Sequence, residues 1–437
     1  MRTFVYISKK VWYNISGENM YCCIDLKSFF ASAECAERNL DASKVNLVVA
    51  DPDRKGGSIC LAVSPALKDK GVKNRCRIYE IPTNFNYIIA KPRMKLYMEK
   101  SAEIFSIYLK YVSPEDMHIY SVDECFIDLT DYEKLYNKTP IELAKMLIGE
   151  VYAQTKIRAT VGIGPNLFLA KVALDITAKH SPDFIGVLDE KSFKETIWFH
   201  RPITDVWNVG RGIANRLERM GVYDLHGITE TPENVLYKEF GINAELLIDH
   251  AYGIEPCTIK DIHAYRSKSN SISNGQILFR DYEFDEAKVI LREMVDNLCL
   301  ELIEKGMVTN SISLSVGYAD RDKKATGGTL KLNGYTSSIK KLTDKFLGYF
   351  EKTADRNFKI RKINIGLNGI IESAYRVYDM FTDVNAEEKE NKLNKTVINI
   401  KHKYGKNSLL KGTSFEDCAT AKSRNRMIGG HNGGEND

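Results

Sequence analysis

Long apolar runs are missing from this 437-residue chain. No stretch approaches the ~18 uninterrupted apolar residues that a membrane-spanning helix requires. Residues 1–20 are broken by Lys9, Lys10 and Asn14, the wrong pattern for a secretory leader. Paired cysteine spacing is missing too. The nine cysteines, an odd number, show no repeating Cys-x-x-Cys, which argues against a disulfide framework or a zinc site and for a reduced, cytoplasmic protein. The adjacent Cys22 and Cys23 lie in an apolar run and read as core. Nor does one sign of charge prevail: 62 Lys and Arg against 58 Asp and Glu leave +4, too little to argue for nucleic acid from composition alone. Internal repeats and low-complexity tracts are absent. At ~150 residues per domain, the length points to about three domains, each able to bury a core.

What is present is a hydrophobic period that changes along the chain. Residues 21–26 read as a buried strand entering a helix at 29–37. Runs at 47–50 and 59–63 look like strands separated by the turn-rich 51–57, and Pro65 opens a short helix ended by Gly71. Residues 93–112 have the period of a long amphipathic helix stopped by Ser113 and Pro114, and 118–130 read as two strands joined by a tight turn at Asp123 and Glu124. Helix 141–155, strand 158–163 and helix 166–178 follow. This βα…ββαβα order predicts one mixed sheet with helices on one face. Around 203–221 a turn at Val209-Gly210-Arg211-Gly212 precedes a helix with Ile213, Leu217 and Met220 along one side, which suits a small helical domain. Strand-like runs at 276–279, 311–318, 329–332 and 362–367, with helices at 285–305 and 338–353, predict a separate α+β unit behind a linker at 257–268. Beyond residue 373 the tail is polar, with one candidate helix at 387–404 and a Gly-rich end. The expected class is multidomain, α/β followed by α+β.

Metal-dependent phosphoryl transfer needs hard oxygen ligands converging on a point. Asp25 at a strand end, with Asp123 and Glu124 in a turn between strands, supplies three. If those strands are neighbours, a site for two ions ~3.5–4 Å apart can form, one activating a primer 3′-hydroxyl and the other holding a triphosphate. The plainer reading is that Asp25 caps the next helix and the other two sit in a polar turn. Two successive acids inside the apolar-flanked His118-Ile119-Tyr120-Ser121-Val122-Asp123-Glu124-Cys125-Phe126 weigh against it, because like charges so close repel unless a cation joins them.

These residues carry a resemblance. Ile24-Asp25-Leu26-Lys27-Ser28-Phe29-Phe30-Ala31-Ser32-Ala33-Glu34, Tyr120-Ser121-Val122-Asp123-Glu124, Thr160-Val161-Gly162-Ile163-Gly164-Pro165-Asn166 and Leu169-Ala170-Lys171 resemble the Y-family DNA polymerases. The nearest branch is similar to the UmuC group, the catalytic subunit of DNA polymerase V, in the form typical of Gram-positive bacteria, their plasmids and phages. The resemblance runs from about residue 21 to 430. It implies a right-handed, error-prone translesion polymerase without a proofreading exonuclease, used in SOS-type tolerance of DNA damage. The implied layout is an N-terminal extension at 1–19, a ferredoxin-like palm at 20–28 and 93–198, fingers at 29–92, a thumb with a helix-hairpin-helix at 199–262, a little finger at 266–372 and a tail at 373–437.

The resemblance also implies residue roles. Asp25, Asp123 and Glu124, with the Leu26 carbonyl, match the ligands of two Mg²⁺ ions, for which Mn²⁺ can substitute. Phe30 falls on the aromatic gate against a ribose 2′-hydroxyl, with Phe29 beside it as core. Ser64 and Lys68 fall in the segment that contacts the incoming triphosphate, where many relatives carry Tyr and Arg. Lys68 is a point charge rather than a fork. Lys179 matches the palm lysine that reaches the same phosphates, although it stands one residue further from Lys171 than in some relatives. Lys27 replaces the acid or Asn often found there, a departure without a mechanism at this level. Gly210, Arg211 and Gly212 suit a thumb turn against a DNA phosphate, or an ordinary helix start. Arg266, Lys268, Arg280, Lys331 and Lys340 are candidates for phosphate contacts or simply a solvated basic surface. Val377 to Phe381, with Met380, resembles a degraded sliding-clamp peptide, or a final strand edge. Primer–template DNA, a deoxynucleotide, the clamp and SOS accessory proteins are the implied partners. Two other classes compete: a nucleotidyl cyclase on the same palm, and a non-catalytic DNA-binding relative.

Overall fold

The computed structural model describes residues 19–52, 57–266, 270–375 and 383–434, the side chain of His180 excepted. It forms two compact units, Met1–Tyr265 with Gly433–Asp437, and Arg266–Asn432. Lys268 and the stretch holding Val377, Met380 and Phe381 lie outside the described residues, as does nearly all of the N-terminal extension.

The first unit is built on a five-stranded sheet in the order β5-β6-β1-β7-β8: Met117–Ile119, Glu124–Asp128, Tyr21–Leu26, Ala159–Gly164 and Ile185–Val187. Strand β1 is central and antiparallel to both neighbours. Its near-continuous apolar sequence suits a strand covered on both faces. Tyr21, Cys23 and Phe126 pack against Leu167, Ala170 and Leu174. On the opposite face Cys22, Ile24, Leu26, Cys125 and Ile127 are equally buried, with Tyr108 of the helix Met94–Tyr108 beside Cys22 and Cys125. The expectation of helices on one face is therefore corrected: a central strand whose side chains are nearly all apolar needs a cover on each side.

Leu167–Val172 lies unusually close to the sheet, and glycines permit it. A Cβ at Gly162 would stand 2.1 Å from both the Ala170 carbonyl and the Leu174 nitrogen, and one at Gly164 2.8 Å from the Ala170 nitrogen. After Val172 the chain widens into a π-type turn, Ala173–Thr177, before a short turn at Ala178–His180. A smaller sheet in the order β3-β2-β4 uses Ala62–Val63, Leu47–Val49 and Ile88–Ala90. Only Ala62–Val63 of the run at 59–63 is strand, Ile59 making a lone bridge to Arg77. Part of the stretch read as linker is helical: Ile259–Ala264 buries Ile259 against the cluster of Tyr21 and Phe126.

The second unit carries a sheet in the order β11-β10-β12-β9, Thr326–Thr336, Met307–Tyr318, Ile360–Asn368 and Ile272–Tyr282, with the helices Phe284–Glu304 and Ile339–Thr353 sharing its core. The tail is not a loose appendage. Its helix Val384–Tyr404 buries Ile398 in the same core, and the Glu293 carboxylate accepts hydrogen bonds from the Thr420 and Ala421 amides, each 2.9 Å.

Candidate active site

Register brings the acids together. Asp25 on β1 faces Glu124 on β6 directly, and the next amide, that of Leu26, donates to the Asp123 carbonyl at 2.8 Å. The tight turn therefore closes at Asp123, while Glu124 is the first residue of its strand and is buried. Ser121 Oγ donates to Asp123 Oδ1 at 2.6 Å and orients it. On the other side of β1, Thr160 Oγ1 donates to the Asp25 carbonyl at 3.3 Å.

Burial and the adjacent Asp123 push the Asp25 carboxyl up to about 7, with Lys179 pulling the other way. Glu124 is met by a cation from the helix opposite. Its Oε1 lies 2.5 Å from Lys171 Nζ and accepts from Cys23 Sγ at 3.1 Å. Lys171 also reaches Asp175 at 3.0 Å, and Asp175 reaches Lys179 at 2.9 Å. Burial disfavours the Lys171 charge, but Cys23, Asp175 and Glu124 around it raise its pKa above the ordinary lysine range.

Among the described residues no three Asp, Glu, His or Cys side chains form a ready-made cation cage. Magnesium does not require one, because it is usually held by one or two carboxylates, water and substrate phosphates. A hard-oxygen cluster in which one carboxyl is driven toward neutrality by its neighbours fits an added cation.

A π-type turn lies between Lys171 and Lys179, and Lys179 stands on Asp175 and acts on Asp25. Lys68, at the end of the short helix Pro65–Lys68, belongs to the same field. Burial holds its ammonium below the usual range, with Asp25 opposing that and Lys179 and Lys27 adding to it.

Phe29 is buried, whereas the half-buried Phe30 stacks on Tyr97 with ring centroids 4.6 Å apart. Tyr97 donates in turn to the buried Glu34 at 2.7 Å, which Arg93 also grips. Ser64 departs from expectation. It is fully buried, and its hydroxyl accepts the Leu47 amide at 3.0 Å, so it ties the small sheet together rather than facing a triphosphate.

The remaining candidates lie further afield. Gly210 caps the helix Arg211–Arg219 in extended geometry, and neither Gly210 nor Gly212 has any atom within 4 Å of an added Cβ, so the protein's own packing does not demand glycine there. Arg211 is exposed. In the second unit Arg266, Lys331 and Lys340 are exposed. Arg280 is corrected as a free phosphate-binding cation, because Glu286 holds it with bonds of 2.6 and 2.9 Å. Lys171, Asp175, Cys23 and Tyr97 were missed as site residues. The spacing of Lys171, Asp175 and Lys179, four apart each time, was the available signal for the first two.

Residues 24–175 match the impB/mucB/samB family, and residues 269–380 match the C-terminal domain of that family. The chain is 31% identical over 423 residues to the UV-damage repair protein UvrX of Bacillus subtilis (strain 168), covering 94% of this chain and 96% of that one. It is 30% identical to DNA polymerase IV 2 of the same organism, covering 95% and 99%. Among solved structures it resembles a Y-family DNA polymerase chimera, Dbh-Dpo4(243-245)-Dbh, with a TM-score of 0.62 at 20% identity over 81% of this chain and 99% of that one, a likeness of fold. No helix among the described residues is long and apolar enough to cross a membrane.

Proposed function

This chain belongs to the impB/mucB/samB family of Y-family DNA polymerases, and from that premise we propose that it adds deoxynucleotides to primer 3′ ends opposite damaged template bases, through two Mg²⁺ ions held by Asp25, Asp123, Glu124 and the Leu26 carbonyl. It is a DNA-directed DNA polymerase of the translesion, DNA-repair kind. The observation that carries the reading is the direct pairing of Asp25 with Glu124, with Asp123 bonded to the next residue and the Asp25 carboxyl pushed up to about 7.

Bound Mg²⁺ supplies charge for the triphosphate and activation for the 3′-hydroxyl, and Mn²⁺ substitutes. The chain's own groups do the rest. Lys68 and Lys179 bind the phosphates and orient the leaving group. Lys171 balances Glu124, keeping two buried carboxylates from repelling each other outright. Phe30, braced by Tyr97, excludes a 2′-hydroxyl. Arg211 and the open glycines beside it approach a DNA backbone phosphate at a helix N-terminus, gripping without reading sequence. Arg266, Lys268, Lys331 and Lys340 add salt-dependent, sequence-independent affinity.

In this reading residues 20–28 and 93–198 are the palm, 29–92 the fingers, 199–262 the thumb and 266–372 the little finger, working in the cytoplasm. Residues 377–381 contact a sliding clamp, and SOS accessory proteins join there or on the tail. The test is primer extension on undamaged and abasic templates with Mg²⁺, comparing wild type with Asp123→Ala plus Glu124→Ala. Extension that disappears in the double variant while primer–template binding persists supports the assignment. Undiminished extension by the double variant refutes it.

A further inference from the structure

The acids are half of the site's charge problem, and the lysines are the other half. Lys68 and Lys27 are both half-buried, and neither forms an ion pair with a carboxylate among the described residues. They come from separate segments, Lys68 from the short helix after β3 and Lys27 from the turn between β1 and the helix Phe29–Glu37. The charges of Lys27 and Lys179 both act on Lys68. Asp69 and Arg158 stand near enough for their charges, one opposite and one like, to act on Lys27. Asp25 acts on Lys68 and Asp69 on Lys27, yet neither carboxylate closes an ion pair with them, so these half-buried cations keep charge that an incoming anion can take up.

Lys27 is held in place without being neutralised. Its amide donates to the Arg158 carbonyl at 2.8 Å, its carbonyl accepts from Ser32 Oγ at 2.6 Å, and its Nζ rests 4.0 Å from the centroid of the Phe184 ring. Phe184 sits at φ 60°, a left-handed conformation that an aromatic residue adopts only when its surroundings compel it. An aromatic face orients an ammonium and leaves its charge available. Lys27 also lies two residues after Asp25 and three before Phe30, between the acid cluster and the residue read as the sugar gate.

Resting on the polymerase reading above, we infer that Lys27 is a third triphosphate-binding cation, acting beside Lys68 and Lys179 on the incoming nucleotide. Lys68 presents one point charge with little directional demand. A second ammonium from the β1 side makes up in charge what that contact lacks in geometry. This also gives Lys27 the mechanism that sequence alone left open.

The test uses the full chain in single-nucleotide insertion on a primer–template, with inorganic tripolyphosphate as a competitor that has phosphates but neither base nor sugar. Lys27→Met keeps the aliphatic stem and removes the charge. KM for the deoxynucleotide and the inhibition constant for tripolyphosphate should rise together, on the order of tenfold, with kcat changed less than about threefold. Lys27→Arg should restore most of both. Phe184→Leu, which removes the orienting ring but keeps the charge, should raise the tripolyphosphate inhibition constant by less than Lys27→Met does. An active enzyme whose Lys27→Met variant melts lower but keeps both constants overturns the inference and leaves Lys27 a structural strut. Wild type that binds tripolyphosphate through Lys27 but extends no primer brings down the polymerase reading and keeps the anion site.

Discussion

Replacing Asp25 with Asn should make the metal-free protein more stable at neutral pH, and the pH dependence of that gain is the sharpest check on the charge argument. The Asp25 carboxyl is raised from 3.8 to about 7, first by burial and then by Asp123. Between those two values the folded protein holds a proton that the unfolded chain has released. Its contribution to stability therefore falls as pH rises through the window and is level above it. At ~1.4 kcal/mol per pH unit, the full linkage is ~4 kcal/mol. Asn removes the charge at constant shape, but Lys179 and Lys171 lose part of their counter-charge, so the net gain at pH 8 should be ~1–3 kcal/mol. For a unit of this size that corresponds to ~2–6 °C in melting temperature. Thermal unfolding in chelator from pH 4.5 to 8.5 is the assay. The two melting curves should nearly coincide at the acid end, separate up to about pH 7 and run parallel beyond. Adding Mg²⁺ at pH 8 should raise the wild type alone, by mass action. A separation that is the same at every pH would mean that Asp25 ionises like a surface carboxylate, and the crowding argument would be wrong.

Other perturbations have equally definite signs. Lys171→Met strands the buried Glu124 without its 2.5 Å partner and should cost ~3–5 kcal/mol, much of it recovered by adding Glu124→Gln in a denaturant double-mutant cycle. Gly162→Ala should destabilise by ~3 kcal/mol or more, since its Cβ would stand 2.1 Å from backbone on the facing helix. Gly149→Ala, in open space within the helix Pro140–Thr155, should instead stabilise by ~0.5–1 kcal/mol; comparing the two melting temperatures checks the pair. Glu293→Ala removes the acceptor for the Thr420 and Ala421 amides and should speed proteolytic cutting after residue 404 several-fold, at a local cost of ~1–3 kcal/mol.

The meeting of Asp25 with Asp123 and Glu124 was legible because a strand with Asp next to last and a strand that opens on Glu just after Asp announce themselves by period. Their register was not, since nothing local says that Asp25 faces Glu124 rather than a neighbour two residues away. Thr160-Val161-Gly162-Ile163-Gly164 read as a family mark. Its physical reason, a helix too close to tolerate a Cβ, exists only in three dimensions. Ser64 misled because it neighbours Lys68 in sequence while its side chain points into the small sheet. Arg280 misled because a basic residue on an exposed strand gives no sign of the Glu286 six positions on that neutralises it. The tail read simply as polar because its buried side is narrow, holding Glu387, Asn394 and Ile398 amid charge. Such a pattern looks solvated until the core that covers it is known.

One feature of the lysines follows from how the acids are arranged. Glu124 already has Lys171, so the negative charge left uncompensated belongs to Asp25 and Asp123. On the lysine side, Lys179 already has Asp175, so the positive charge left uncompensated belongs to Lys68 and Lys27. The two residual charges act on each other, since Asp25 supports Lys68, yet neither is cancelled, because Asp25 is itself driven toward neutrality. A substrate that brings cations to one cluster and phosphates to the other relieves both at once, whereas either component alone leaves the opposite cluster strained. Metal and deoxynucleotide should therefore bind with positive coupling, and the coupling should shrink in Lys27→Met and in Asp25→Asn for opposite electrostatic reasons. Titrating the deoxynucleotide at several Mg²⁺ concentrations would measure it, and independent binding of the two would contradict the argument at its root.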